Sequence, residues 1–141
     1  MFYRSIILAI TLLSFVSFNT NSKFDLTVQV NGFSSNEGRA FVGIYRPTDE
    51  FPVMNKQYRG KVVEIENKTA KVSFEDLPKG EYAVAVYHDK NKNGIMDKNL
   101  LGVPTEKYGF SNNARETFSA PSFQSAAVAL EKSKAIAIYV K

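Results

Sequence analysis

The residues whose spacing most directly specifies chemistry lie in Asp89-Lys90-Asn91-Lys92-Asn93-Gly94-Ile95-Met96-Asp97. Counted from Asp89, side-chain oxygens fall at positions 1, 3, 5 and 9, glycine at position 6 and an apolar residue at position 8. A hard cation such as Ca²⁺ takes six to eight oxygens, and alternate residues of a tight loop can converge on one point. Gly94 supplies the sharp turn, and the Ile95 carbonyl supplies the ligand of position 7. The pattern is that of an EF-hand-type loop as far as position 9. At position 12, where a bidentate Glu belongs, the chain has Leu100. A further carboxylate must come from elsewhere, and Glu106 is the nearest downstream. The expected metal ligands are therefore Asp89, Asn91, Asn93, Ile95, Asp97 and Glu106, with Ca²⁺ as the cofactor and no other cofactor. The competing reading is an Asx-rich turn, since Asp, Asn and Gly are turn residues in their own right.

His88 adjoins this loop and is the chain's single histidine. Beside an acid it could serve as a base or ligand; as a strand-end residue its ring would bond a neighbouring carbonyl instead. The chain has no Cys, which removes disulfides, thiolate metal sites and a cysteine nucleophile. No compact Ser-His-Asp set is present, and no carboxylate spacing marks a glycosidase pair. Downstream, Gly102 to Asn113 is rich in Gly, Asn and aromatics. Rings with amides suit a saccharide or peptide surface, so His88, Tyr108, Phe110, Asn112 and Asn113 form the expected binding surface. Alternatively, Tyr108, Phe110, Phe118 and Phe123 fold back over one end of the domain.

The elements that position these residues read as strands. Phe24, Leu26, Val28 and Val30 alternate with polar residues, as do the apolar positions of Arg39–Tyr45. Lys61–Glu66 and Ala70–Phe74 read as a hairpin around Asn67-Lys68-Thr69. Glu81–His88 is apolar on both faces, which suits a central strand. Ala127–Leu130 and Ala135–Val140 read as a last hairpin. Pro78 and Gly80 turn the chain into the central strand, and Tyr82 resembles the tyrosine corner of sandwich domains. Pro47–Tyr58 has room for one helical turn, and Ser122 can cap a short helix from Phe123 to Ala127. About seven strands without a long helical stripe predict an all-β fold, an antiparallel two-sheet sandwich. Its one long irregular stretch, His88 to Phe123, is where function is expected.

Residues 1–22 read as a signal peptide. Arg4 gives a positive start, Ile6–Phe18 is an apolar run of about 13 residues, too short for a bilayer span, and Thr20 and Ser22 precede the cleavage point. The product is exported, periplasmic or extracellular, with no membrane span after cleavage. Residues 23–141 then form a single β-sandwich domain. Loss of Arg4 takes the formal net charge from +4 to +3. The bases are scattered, without the density of a nucleic-acid-binding segment.

Several runs resemble a family of exported bacterial proteins called domain of unknown function 2141: Gly80-Glu81-Tyr82 through Tyr87-His88-Asp89, Asn91-Lys92-Asn93-Gly94 with Asp97, Gly102 to Glu106, Tyr108 to Ala114, and Pro121-Ser122-Phe123. The resemblance covers nearly all of residues 24–141. It implies export and an immunoglobulin-like or prealbumin-like sandwich, and it assigns no activity. Arg115–Ala120 departs from the pattern, which carries more Gly and Pro there.

The resulting expectation is a secreted, non-enzymatic binding or structural module with a Ca²⁺-organised loop at 89–97. A saccharide or a cell-envelope protein is the expected partner, and nucleic acid is not. Two alternatives stand beside it: a small exported hydrolase using His88 with a nearby carboxylate, and a structural subunit of a cell-envelope assembly.

Overall fold

The computed structural model describes residues 21–141, so the predicted leader, apart from its last two residues, lies outside the described residues. The strands, in chain order, are β1 (Lys23–Asn31), β2 (Arg39–Tyr45), β3 (Arg59–Glu64), β4 (Ala70–Pro78), β5 (Gly80–Asp89), β6 (Tyr108–Phe110), β7 (Val128–Leu130) and β8 (Lys134–Tyr139). They build two sheets. The smaller has the order β4-β1-β8, and the larger has the order β3-β2-β5-β6, with β7 also pairing to β5. Among the described residues no helix is long and apolar enough to cross a membrane.

Period-two patterning explains which faces meet. Leu26, Val28 and Val30 of β1 are fully buried, as are Ala40, Val42 and Ile44 of β2 and Val84 of β5. These side chains share one core with Val72, Phe74 and Leu77 of β4 and with Ile138 of β8. Each fully buried Val, Leu or Ile side chain contributes about 1.5–3 kcal/mol. The sandwich expectation is met.

The pairing partners differ from the sequence reading in two places. The runs at 61–66 and 70–74 pair only at the turn, where Glu66 and Thr69 exchange two backbone hydrogen bonds of 2.9 Å, and then diverge. β3 pairs with β2 and β4 pairs with β1, while Asn67 and Lys68, both at positive φ, carry the chain from one sheet to the other. The runs at 127–130 and 135–140 also part company: β7 pairs with β5, and β8 lies parallel to β1. Alternation identifies a buried face, but it does not say which neighbour accepts the backbone hydrogen bonds. Where β3 and β4 face each other without a ladder, side chains bridge the gap. Arg59 donates to the Glu75 carbonyl at 2.7 Å and Lys61 to the Ser73 carbonyl at 2.6 Å, and such basic cover blunts a sheet edge.

β5 is central, as its two-sided apolar pattern predicts. Its second face carries Ala83, which packs in a separate cluster with Phe110, Ala126, Phe51 and Phe123. Ser122 caps the short helix α1 (Phe123–Ala126), its Oγ accepting from the Ser125 amide at 3.2 Å. The Tyr82 hydroxyl donates to the Pro78 carbonyl at 2.8 Å, closing the expected corner. Residues 47–58 form turns rather than a helical turn, with a cis peptide between Phe51 and Pro52.

Candidate functional site

β5 ends at Asp89, opposite Arg39 in the β2 register. The Asp89 carboxylate is almost wholly buried, at 1% exposure. It accepts from Arg39 Nε, Asn93 N and Gly94 N, each at 3.0 Å. A charge this deeply buried is tolerated because all three donors are aimed at it. The approach is tight. Gly38 has φ +77, and a Cβ there would lie 2.4 Å from the Asp89 carbonyl oxygen.

Beyond Asp89 the loop folds on its own side chains. Asn91 Oδ1 accepts from Asn93 N at 3.1 Å, and Asn93 Oδ1 accepts from Ile95 N at 3.0 Å, as Asx residues do when they turn the chain. Gly94 takes φ +80, the turn its position required. The two amide nitrogens then reach Asp97: Asn91 Nδ2 donates to Oδ2 at 2.6 Å and Asn93 Nδ2 to Oδ1 at 2.9 Å. Glu106 folds back over the loop, its Oε1 accepting from Lys90 N at 2.9 Å and its Oε2 from Asp97 N at 3.1 Å. Five of the six expected ligand side chains and carbonyls are thereby linked in one network, and the sixth, Ile95, is tied in through its amide. Leu100 is fully exposed and takes no part.

The charges around the loop are unevenly matched. Lys90 and Lys92 turn outward to Glu37 and Glu64, at 3.3 and 3.7 Å. Asp97 has no ion pair among the described residues. Neither do three or more Asp, Glu, His or Cys side chains gather there as a metal-holding group; the donors are mixed carboxylates and amides. The Tyr87 hydroxyl, which donates to the Gly94 carbonyl at 3.3 Å, feels this environment. Burial raises its pKa, and the negative charges of Asp89 and Glu106 raise it further.

The residues expected to form a binding surface separate into three places. His88, paired with Ala40 in the register, is buried. Its Nε2 donates to the Glu37 carbonyl at 2.7 Å, as a strand-end histidine would. Asn112 donates to the Ser125 and Ala127 carbonyls at 3.2 and 2.9 Å, and Asn113 Oδ1 accepts from Tyr139 N at 2.9 Å. Both amides are occupied in tying residues 111–113 to α1 and β8. Tyr108 and Phe110 form β6 and line a groove of about 820 Å³ on the outer face of the larger sheet.

The floor of this groove is aromatic. Phe41 and Tyr87 stack at 5.2 Å between ring centroids, and Tyr45 lies beside them. Tyr45 donates to the Val53 carbonyl at 3.0 Å. Burial, with help from the Asp49 charge and from Tyr87, pushes its pKa up to about 12. The walls come from residues 52–54, 95, 96, 98, 101–104 and 116–120. Ile95, Leu101, Val103 and Phe118 expose large apolar surfaces there. The second half of the Asx-rich loop is thus one wall of the groove, a juxtaposition absent from the sequence pattern. Sequence reasoning also missed Ser111, which is fully buried: its Oγ accepts from Val84 N at 2.8 Å and donates to the Ala126 carbonyl. Nothing in a Ser-Asn-Asn run signals that role. Arg39, read only as the start of a strand, is the partner of Asp89.

A family model described as an uncharacterized protein conserved in bacteria, DUF2141, matches residues 28–137. No curated protein and no solved structure matches the chain.

Proposed function

The chain belongs to the DUF2141 family, and on that premise we propose that it is an exported, non-enzymatic β-sandwich module in which Ca²⁺ stiffens the 89–97 loop as the wall of an apolar binding groove. The observation that carries this reading is the state of Asp97. Its carboxylate meets only neutral amides from Asn91 and Asn93, and it closes the same network as Asp89 and Glu106. A cation placed there would gain a charged ligand with no competing lysine. Export is supported by the sequence of residues 1–22. The groove favours an apolar portion of a partner, because the amides of Asn112 and Asn113, the donors a saccharide would use, are already occupied.

Calcium titration of the mature protein tests the reading. Loop sites in extracellular modules bind at about 10⁻⁴–10⁻³ M, so about 10 mM Ca²⁺ should stabilise by about 1.4–2.7 kcal/mol. At about 4 °C per kcal/mol for a domain of this size, Tm should rise by about 6–11 °C. Asp97→Ala should abolish the rise while leaving the ion-free protein folded. A flat Tm and no calorimetric heat at 10 mM would overturn the cation site.

A further inference from the structure

On the core side of the same strand end, a second cavity of about 200 Å³ lies between the β1–β2 connection and residues 105–107. His88, Ser34, Ser35, Lys90, Glu106 and Lys107 line it. His88 is 5% exposed, and its ring edge packs on Phe33 with centroids 5.1 Å apart. A backbone carbonyl can only accept, so the Nε2 contact to the Glu37 carbonyl places a proton on Nε2. In the neutral ring Nδ1 then offers a lone pair, and it has no hydrogen-bond partner among the described residues. Nor is it sealed in the interior: the side-chain polar atom buried without a partner there is Gln57 Oε1. His88 lines the cavity, so a ligand bound there is the group placed to meet its open nitrogen.

The other groups at this cavity favour negative charge. Lys107 is held beside His88 by the His88 N to Lys107 O bond of 2.8 Å, and its Nζ uses one proton on the Gly32 carbonyl at 2.7 Å. Lys90 contributes a second ammonium, which also pairs with Glu37. Glu106 opposes them with a full negative charge, its two oxygens accepting backbone N–H bonds, so the lining ammoniums exceed the carboxylates by one. Serine hydroxyls can donate to an anion as well. A ligand satisfying every group must do two things at once: accept from the ammonium and hydroxyl donors, and donate to Nδ1. The cavity opens to solvent and has room for a small anion.

We infer that this cavity binds a small oxyanion that retains an O–H, such as hydrogen phosphate or a short hydroxycarboxylate, with its hydroxyl donating to His88 Nδ1 and its charged oxygens facing Lys107 and Lys90. Anions of similar size without an O–H set lone pair against lone pair at Nδ1. This site does not depend on the cation reading, and metal-free buffer keeps the two tests separate.

The single histidine makes the experiment direct, because a chain labelled on imidazole nitrogen gives one His side-chain spin system. The mature protein in metal-free buffer at pH 8 is titrated with phosphate, glycolate, acetate and nitrate at constant ionic strength. Phosphate or glycolate should move the His88 Nδ1 resonance saturably, and acetate and nitrate should not. Tighter binding of phosphate assigns an inorganic oxyanion, and tighter binding of glycolate assigns a hydroxy acid. Lys107→Ala should weaken the preferred anion at least fivefold by calorimetry with the His88 signal still native-like. Equal shifts from all four anions, no shift from any, or unchanged affinity in Lys107→Ala would each overturn the inference.

Discussion

Replacing Asp89 with Ala probes the junction on which the whole loop hangs. The carboxylate gives up three contacts at 3.0 Å, to Arg39 Nε, Asn93 N and Gly94 N. A hydrogen bond to a charged group contributes about 1.5–3 kcal/mol. Two of the three donors have partial alternatives. Asn93 N keeps Asn91 Oδ1 at 3.1 Å, and the Arg39 side chain, 32% exposed, can rehydrate. Gly94 N is left without an acceptor. The net loss should be about 3–5 kcal/mol, the range for breaking a buried pair from one side. For a domain of this size that corresponds to a fall in Tm of about 12–20 °C. Urea unfolding in metal-free buffer measures it free of any calcium effect. Asp89→Asn, which keeps one acceptor oxygen, should lose about half as much and remain folded if the alanine variant does not. A double-mutant cycle with Arg39→Ala should return a coupling of about 1–2 kcal/mol. An alanine variant within 1 kcal/mol of the parent, or a coupling of zero, would refute the argument that Asp89 anchors the loop.

Two further perturbations follow from buried hydroxyls. Ser111→Ala leaves the Val84 amide, which now donates to Ser111 Oγ at 2.8 Å, buried without an acceptor; the urea midpoint should fall by about 1–3 kcal/mol equivalent, and amide exchange at Val84 should speed up. Tyr45, with a pKa of about 12 against an ordinary 10.0, keeps its proton in the folded state while the unfolded phenol releases it. The unfolded chain thus binds fewer protons between pH 10 and 12, and stability should fall as pH rises through that window, by roughly 2–3 kcal/mol at most from this group. Tyr45→Phe should flatten that part of the alkaline decline, measured as the parent–variant difference; an unchanged slope would contradict the burial argument.

The strands were legible because one buried face forces alternation. Leu26, Val28 and Val30, or Val42 and Ile44, announce their sheet positions in the sequence alone. β6 was not legible, because Tyr108-Gly109-Phe110 is three residues long and sits inside a run of loop-forming residues. The turns at Pro78–Gly80, Ser122 and Gly94 were legible for a different reason. Each rests on a local rule about φ or about a side-chain acceptor within a few residues. The two supposed hairpins failed where locality ends. Asn67-Lys68-Thr69 has hairpin-turn composition, yet the strands on either side of it belong to different sheets.

The same division holds at the candidate sites. The sequence by itself determined the spacing of side-chain oxygens from Asp89 to Asp97, the turn at Gly94, the all-β class and the burial of one face of each long strand, because these depend on residue type and short spacing. The tertiary structure alone decided that Arg39 neutralises Asp89 across a ladder, that Ile95 and Leu101 wall an aromatic groove, and that His88 meets the Glu37 carbonyl at the edge of a polar cavity; it also folded Glu106, the nearest downstream carboxylate, back over the loop. These contacts join residues far apart in the chain, such as His88 and Glu37 or Arg39 and Asp89. Their partners are selected by how two sheets stack and register, and no local pattern carries that information.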